Sequence, residues 1–542
     1  MRTGFLCALL SLTPLAVFAA SQGESADAAP DPVVVMTWEN DDASLSILGP
    51  QPVIEYVEER LNIEFEWRLV PLSELSQQLS LIIAGGGDMP DLFTATPQGI
   101  AAQEMAQKGV VIPFQEMIDA GRMPLVKAKL ARPEYRGYLN EISHEGQIIN
   151  LNTVTLKGPR QLKWVHYIRS DWYPELGIAE DPKTVDEFAD YLRAVVSGDP
   201  NGNGKADEIG WTNFLSAGFP RMWMTSFGIN TFNHFPWTDI NYGVEAGSEV
   251  YFAPTSDRYR AMIDWIGTMY REGLFDPDIF NVDSPKFNTK AVENTVGAIN
   301  NWPVNGANLI GQLRQIDPDA LYHILPDPTS SVWDGSDRVY STWGTAFFTT
   351  YLAKAGKNID AAVRAVDYML GDTEFPITRE LGIEGVHYEV EDGIYKVIGT
   401  CDHCGNRPYA ELASSERMTA LGSPLGRLPA EGYSILDSQR IDTEPLYEDF
   451  RAFENLVRDN GWGHDVHIVW SLGQADKEVV GAAQKAFGDF VAEMTAKFIT
   501  GQESMSAWDD YVAQVNSIAG PQIEAALAVN QAHFDRKVKD IY

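Results

Sequence analysis

The sharpest chemical signal in the chain is Asp199-Pro-Asn-Gly-Asn-Gly-Lys-Ala-Asp-Glu208. Side-chain oxygens recur at Asp199, Asn201 and Asn203, the 1, 3, 5 spacing with which an EF-hand loop wraps calcium. Gly204 permits the sharp turn at position 6, and Lys205 can offer only its backbone carbonyl, as position 7 does. Position 12, where an EF-hand supplies a bidentate glutamate, is Gly210, so Asp207 and Glu208 are the acids that could close the sphere. These hard oxygen donors suit Ca2+ in a structural role, since no position is left open for a substrate. The competing reading is a solvated acidic turn, because Asn-Gly pairs turn a chain unaided.

A second cluster is Thr400-Cys-Asp-His-Cys-Gly405. Zinc wants four ligands, and this segment offers two thiolates with His403. A redox role wants the motif opening a helix after a strand in a thioredoxin-like unit, and no such unit is visible. A short local disulfide between Cys401 and Cys404 is the favoured reading. No Gly-x-Ser-x-Gly elbow, His-Glu-x-x-His helix or phosphate-loop lysine is in place. Glu145, Glu384 and Asp392 could form a glycosidase pair, but among 76 acidic residues such pairs arise by chance.

Aromatic residues carry more information. The chain has 14 Trp and 21 Tyr, and Trp38, Trp211, Trp302 and Trp343 fall at expected strand ends. Aromatic faces stack on the apolar faces of sugar rings, while Asn40, Asn213 and Asn301 stand beside them to bond hydroxyls. Each tryptophan taken singly is better explained by the core, and it is the set at loop positions that favours binding.

The elements that must hold these residues follow from periodicity. Val33 to Trp38 is a buried strand; Ile54, Val57 and Leu61 have helical spacing. Ile63, Phe65 and Trp67 alternate as a second strand. Leu72, Leu75, Leu79, Ile82 and Ile83 make a helix stopped by Gly85-Gly86-Gly87, and Asp91 to Ala95 is a third strand. This β-α-β-α-β order implies a parallel sheet whose ligands sit beyond the strand C-termini. A second α/β region starts near Lys163, with a strand at Val165 to Ile168 and a helix on Val185, Phe188, Tyr191 and Leu192. The C-terminal part is helical: one stripe runs from Val479 to Phe498 and ends at Gly501, another from Trp508 to Ile518 and ends at Gly520.

Charge narrows the class. Among 542 residues, 41 Lys+Arg oppose 76 Asp+Glu, a formal charge of −35, which argues against nucleic acid and against an anionic membrane face. A composition 44% hydrophobic and 11% aromatic is globular, and the length calls for more than one domain. Met1 to Ala20 reads as a secretory signal: Arg2, then an apolar stretch to Phe18 too short for a comfortable span, then cleavage near Ala19-Ala20. Gly4-Phe5-Leu6-Cys7 is no lipoprotein cleavage box, so the expectation is a periplasmic protein without membrane insertion, preceded by a flexible tail over 21–29. Cleavage removes Arg2 and no acid, leaving 40 − 76 = −36.

Several segments resemble a known family. Tyr167 to Gly177, Thr184-Val-Asp-Glu-Phe188 and the Asp199 to Glu208 loop are similar to extracellular solute-binding proteins of carbohydrate ABC importers. The likeness extends to Ile82 to Asp91, Gly382 to Tyr388, Phe498 to Gly501 and Trp508 to Tyr511, and is strongest with oligosaccharide binders, alginate-binding proteins among them. It implies an α/β, two-lobed periplasmic-binding-protein fold of the class II type. Each lobe is then a mainly parallel sheet flanked by helices, with a helical C-terminal part. The lobes are expected at 30–157 plus 348–400 and at 158–347 plus 401–542.

The same resemblance implies a monomer that closes on an oligosaccharide by hinge motion and hands it to permease subunits, with no catalysis. It implies Ca2+ held by Asp199, Asn201, Asn203, Lys205, Asp207 and Glu208. It places Trp38, Glu39, Asn40, Thr94, Thr96 and Trp302 at the cleft, beside the Trp211, Asn213, Asn301 and Trp343 already singled out. A polyanionic sugar would need cations, for which Arg68, Lys157, Arg160 and Arg221 are the candidates. The rival readings are a secreted glycosidase or lyase, and a same-fold receptor for peptide or another solute.

Overall fold

The computed structural model describes the chain between residues 29 and 537, apart from 40–50, 72–73, 86–87, 96–101, 136–137, 140–141, 145, 155–164, 214–218, 232–241, 246–248, 302–308, 337–339, 343–344, 392–393, 412–419, 423–427, 430–451, 454, 458, 461 and 466–473. The expected signal and most of the tail lie outside these residues.

The first lobe begins with β1 (Asp31–Glu39), α1 (Pro52–Leu61), β2 (Ile63–Pro71), α2 (Leu75–Gly85), β3 (Leu92–Ala95) and the short β4 (Val111–Ile112). β1 pairs in parallel with both β2 and β3, as the sequence order requires. Val33 and Val35 face one buried layer with Val53 and Val57, while Met36 and Phe93 face another with Leu75 and Leu79. Both faces of the sheet are therefore covered. β5 (Leu151–Val154) then leads through 155–164 into the second lobe.

There β6 (Val165–Arg169), α3 (Val185–Ser197), β7 (Ile209–Asn213), α4 (Asp257–Arg271), β8 (Val296–Asn301) and β9 (Tyr322–Leu325) follow. Helix α3 opens with a complete capping box: Thr184 Oγ1 accepts from Glu187 N, and the Glu187 carboxylate accepts from Thr184 N. Its residues Val185, Phe188, Leu192 and Val195 lie on one stripe and are buried. The sheet order is β9-β6-β8-β7.

The chain returns in β10 (Thr345–Ala353), which joins the first sheet antiparallel to β3, β4 and β5. Helix α5 (Ile359–Gly371) covers that lobe. The C-terminal helices α6 (Gln474–Thr500) and α7 (Trp508–Lys537) pack on α4 and on each other, in the second lobe's core.

Each sheet is mainly parallel, as expected, with one reversed strand: β6 is antiparallel to its neighbours β8 and β9, and β10 is antiparallel to β3, β4 and β5, while the other strands of each sheet run the same way. The two reversed strands enter directly from the other lobe, so they run away from the junction while the βαβ strands run towards it. Two expectations change. The described core residues Cys401, Tyr409, Ala420, Leu421 and Leu428 do not join the second lobe: they share a core with Val53 and Phe65, and Phe453 is the first described core residue beyond them on the other side. Gly520 does not end its helix. α7 runs on through Gly520 and Pro521 because Ile523, Ala526 and Phe534 continue the buried stripe, and that packing outweighs two poor helix residues. Gly501 does act as a cap, at φ 76°.

Candidate ligand-binding cleft

Chain connectivity identifies which strand ends meet. β5 ends at Val154 and β6 starts at Val165, so the C-terminal end of β5 and the N-terminal end of β6 lie on the sides where the lobes join. Thr345 of β10 pairs with Val154, and Thr349 with Ala95 at the end of β3. In the second lobe Val165 pairs with Asn301, the last residue of β8. The C-terminal edges of both sheets thus border one junction.

On the second lobe that edge carries a polar row. His166 is opposite Asn300 on one side and Leu325 on the other, and Asn300 is opposite Asn213. Paired residues point to the same face of a sheet, so His166, Asn300 and Asn213 project together. All three are buried, as are Asn301 and Asp327. His166 Nε2 lies 3.4 Å from Asp327 Oδ1, and Asn300 Nδ2 lies 3.5 Å from His166 Nδ1. Asn300 Oδ1 has no hydrogen-bond partner, a costly condition for a buried amide unless something else satisfies it.

Behind the row stands an aromatic wall. Trp211 is fully buried, with ring centroids 4.9 Å from Phe275, 5.3 Å from Trp223 and 6.1 Å from Phe219. It alternates with Asn213 on one strand face, so the wall supports the row from the same side. The tryptophan expected to stack on a sugar is thus packed in the core beneath the amides.

The first lobe presents Thr37 and Trp38 at the end of β1, and Thr94 at the end of β3. Thr37 and Thr94 are fully buried and share a 2.8 Å hydroxyl contact. Trp38 is half-buried over Met36 and Phe93. Thr350 lies across from Thr94, buried, with its hydroxyl unpartnered. Glu39 ends β1, and nothing is described of its side chain; Asn40, Thr96, Trp302 and Trp343 lie outside the described residues, as do Lys157 and Arg160. Arg68 is committed elsewhere, 2.7 Å from Asp88 on the outer strand β2. Arg221 is half-buried in the turn that leads to Trp223. Sequence reasoning missed His166, Asn300 and Asp327, because a polar residue inside an apolar run carries no periodic signature. A groove of ≈ 400 Å3 between Leu176 and Ala194 lies at the other end of this lobe, where Tyr191 donates to Gly297 O.

The acidic loop lies opposite the cleft. Asp199 accepts from Asn203 N at 3.0 Å and Gly204 N at 2.9 Å, and Asn203 Oδ1 accepts from Lys205 N at 2.7 Å. Asn203 Nδ2 donates to Asp207 Oδ1 at 3.0 Å. Asn201 Nδ2 donates to Asn294 O, and Ile209 N to Thr295 O, which fastens the loop to the starts of β7 and β8. Glu208 is buried with both carboxylate oxygens unpartnered. Burial raises its carboxyl above the ordinary range, and the charges of Asp207 and Asp199 push the same way. Gly210 could not be the position-12 glutamate: a Cβ there would sit 2.3 Å from Leu274 O. The orphaned acid is therefore moved to 208, and the donor set suits a hard cation.

Comparison with known proteins agrees with this architecture. The model of the bacterial extracellular solute-binding protein family matches residues 48–374. The chain belongs to that family. It is 22% identical over 501 residues to the fructooligosaccharide ABC transporter substrate-binding protein FusA of Streptococcus pneumoniae serotype 4, covering 89% of this chain and 86% of FusA. FusA in complex with kestose superposes with a TM-score of 0.68 at 21% identity, over 93% of this chain and 99% of that one. An EF-hand mutant of FusA with fructo-nystose superposes equally well, at 0.68. A human-milk-oligosaccharide-binding protein of Bifidobacterium longum infantis gives 0.69 at 19%, over 94% and 99%. The alginate-binding protein AlgQ2, solved without calcium ion, gives 0.68 at 16%, over 95% and 100%. Solute-binding proteins of this family are two-lobed, as the packing here is. Among the described residues no helix is long and apolar enough to cross a membrane.

Proposed function

We propose that this solute-binding protein captures an oligosaccharide between its lobes and releases it to the permease of an ABC importer. One observation carries the reading: the row His166, Asn300 and Asn213, buried at the strand ends that border the other lobe, with Asn300 Oδ1 lacking a partner. Amides and an imidazole there would bond neutral hydroxyls, and Trp38 offers an aromatic surface from the facing lobe. A neutral sugar suits a lining of amides and an imidazole. Kinship with FusA points the same way. Ligand touching both lobes would favour the closed state by its extra contacts there. The protein is read as a binding protein, not an enzyme, working as an exported monomer in the periplasm.

The Asp199 to Glu208 loop is read as a structural calcium site. Asp199, Asn201, Asn203, Asp207 and Glu208 would supply side-chain oxygens and Lys205 its carbonyl. The ion would neutralise the buried Glu208 and hold together the starts of β7 and β8. The EF-hand of FusA supports this reading.

Titration calorimetry with fructo-oligosaccharides, milk oligosaccharides and alginate oligomers tests the proposal, with mass spectrometry of the recovered sugar. One class should bind with a stoichiometry of about one and a dissociation constant in the micromolar range or below, and come back uncleaved. Cleavage, or binding of peptides and no sugar, would overturn it.

A further inference from the structure

The Cys401–Cys404 disulfide closes a turn whose geometry is that of a metal knuckle. Strand β11 (Thr400–Cys401) pairs with β12 (Arg407–Pro408), Thr400 opposite Pro408 and Cys401 opposite Arg407. Between them Asp402–Cys404 makes one 3-10 turn, and Gly405 and Asn406 follow with left-handed φ of 76° and 59°. Two consecutive left-handed residues reverse the chain directly after the second cysteine, so both sulfurs stay on one side of the hairpin. The C-x-x-C spacing is the one with which structural zinc sites take two ligands from a single turn.

The histidine between the cysteines is the observation that goes beyond a plain disulfide. His403 Nε2 lies 3.6 Å from Cys401 Sγ, and its donor, with those of Cys401 and Cys404, falls within 4.8 Å of the others. Donors at about 2.3 Å (thiolate) and 2.0–2.1 Å (imidazole) from a tetrahedral ion lie about 3.5–3.6 Å apart. The imidazole is already at that spacing. The Cα atoms of the cysteines are 5.2 Å apart, so two freed sulfurs could separate by side-chain rotation alone. Cys401 is buried against the first lobe's core, whereas His403 and Cys404 are half-exposed, which leaves an approach for an ion and for a water as fourth ligand.

We infer that Cys401, His403 and Cys404 form a redox-gated site for a thiophilic cation such as Zn2+, closed as a disulfide and opened by a dithiol reductant. In the opening step a thiolate of the dithiol attacks one sulfur and the Cys401–Cys404 bond breaks. The reductant's second thiol then attacks the reductant sulfur of the mixed disulfide, and the protein cysteine leaves as a thiolate. The dithiol leaves as its own disulfide, two electrons having passed to the cysteines, which gain two protons. Zn2+ binding then releases those two protons as both sulfurs ligate as thiolates. Two thiolates and an imidazole prefer such an ion to the hard cation suited to the Asp199 loop. The site lies in the first lobe, outside the cleft, and its fate is separate from that of the sugar reading.

The test is Zn2+ titration of the full exported chain, once oxidised and once after reduction with a phosphine that is then removed under anaerobic conditions. The acidic loop is identical in both samples, so the difference reports the cysteines. Reduced protein should take up one additional Zn2+ per chain, and Co2+ in its place should give a thiolate charge-transfer band. His403→Gln should weaken the added site by no less than the about 10- to 100-fold that follows loss of an outer-shell partner. Equal zinc uptake by oxidised and reduced protein, or unchanged affinity in His403→Gln, would overturn the inference. The cobalt band is read on folded wild-type protein, so it stands even where His403→Gln fails to fold.

Discussion

Glu208 is buried with both carboxylate oxygens unpartnered by any side chain, while Asp207 and Asp199 add charge of the same sign. A bound cation would relieve that arrangement without neutralising the acid. Added Ca2+ should therefore raise the melting temperature of metal-free protein, by an amount equivalent to about 2.7 kcal/mol at a hundred times the dissociation constant. Glu208→Gln should fold and lose most of that response, measured by thermal shift; a full response in the variant would remove Glu208 from the ligand set. At the cleft, Asn300→Ala should weaken sugar binding about tenfold, the value of one good hydrogen bond, and cost about 1 kcal/mol of stability through the lost Nδ2 contact with His166. Calorimetry and a melting curve on the same variant separate these two quantities. Trp211→Ala should do the reverse. It opens a cavity in the aromatic wall, costs about 3–5 kcal/mol of stability in urea, and affects sugar only through that loss.

Single elements show where local chemistry holds. The capping box of α3 is complete, so Thr184→Ala should cost about 1 kcal/mol in chemical denaturation without altering the cleft. Just before it, the His323 imidazole and the Tyr173 hydroxyl hold the Asp181 carboxyl below its usual range. A depressed folded pKa gives stability that is present above the unfolded value and lost as pH falls through the folded one. The acid limb of the stability curve should therefore be shallower below about pH 4 in Asp181→Asn, as read from denaturation midpoints across pH. Early elements such as β1, α1 and β2 were legible from periodicity, because each is amphipathic or buried in a way its own residues record. The end of α7 was not legible. Gly520 and Pro521 are local stop signals, and only burial of Ile523, Ala526 and Phe534 against the rest of the lobe overrides them.

Across the whole molecule the chain passes from one lobe to the other between Val154 and Val165 and returns before β10, with Tyr340–Thr342 the last described strand ahead of it. That strand lies parallel to Gly463–Asp465. Hinge closure about such connections should reduce the radius of gyration in small-angle scattering when sugar is added, and no change would argue against closure. The α/β order of the early elements and the acidic loop could be read from residues in order, because they rest on periodicity and on a spacing within one short segment, while the two-lobed family fold was implied by the resemblance of several segments to extracellular solute-binding proteins. The acidic balance of −35 also stands in the sequence alone, and with it the argument against a polyanionic nucleic-acid partner. What only tertiary structure decided is the cleft. His166, Asn213 and Asn300 are far apart in the chain and look like blemishes in apolar strands; register places them side by side. The same packing sent Trp211 into its own lobe's core and Cys401, Tyr409, Leu421 and Leu428 into the first lobe's. Periodicity states that a face is apolar. Which apolar face meets which is settled by non-local burial, and that choice determines the polar groups left at the junction.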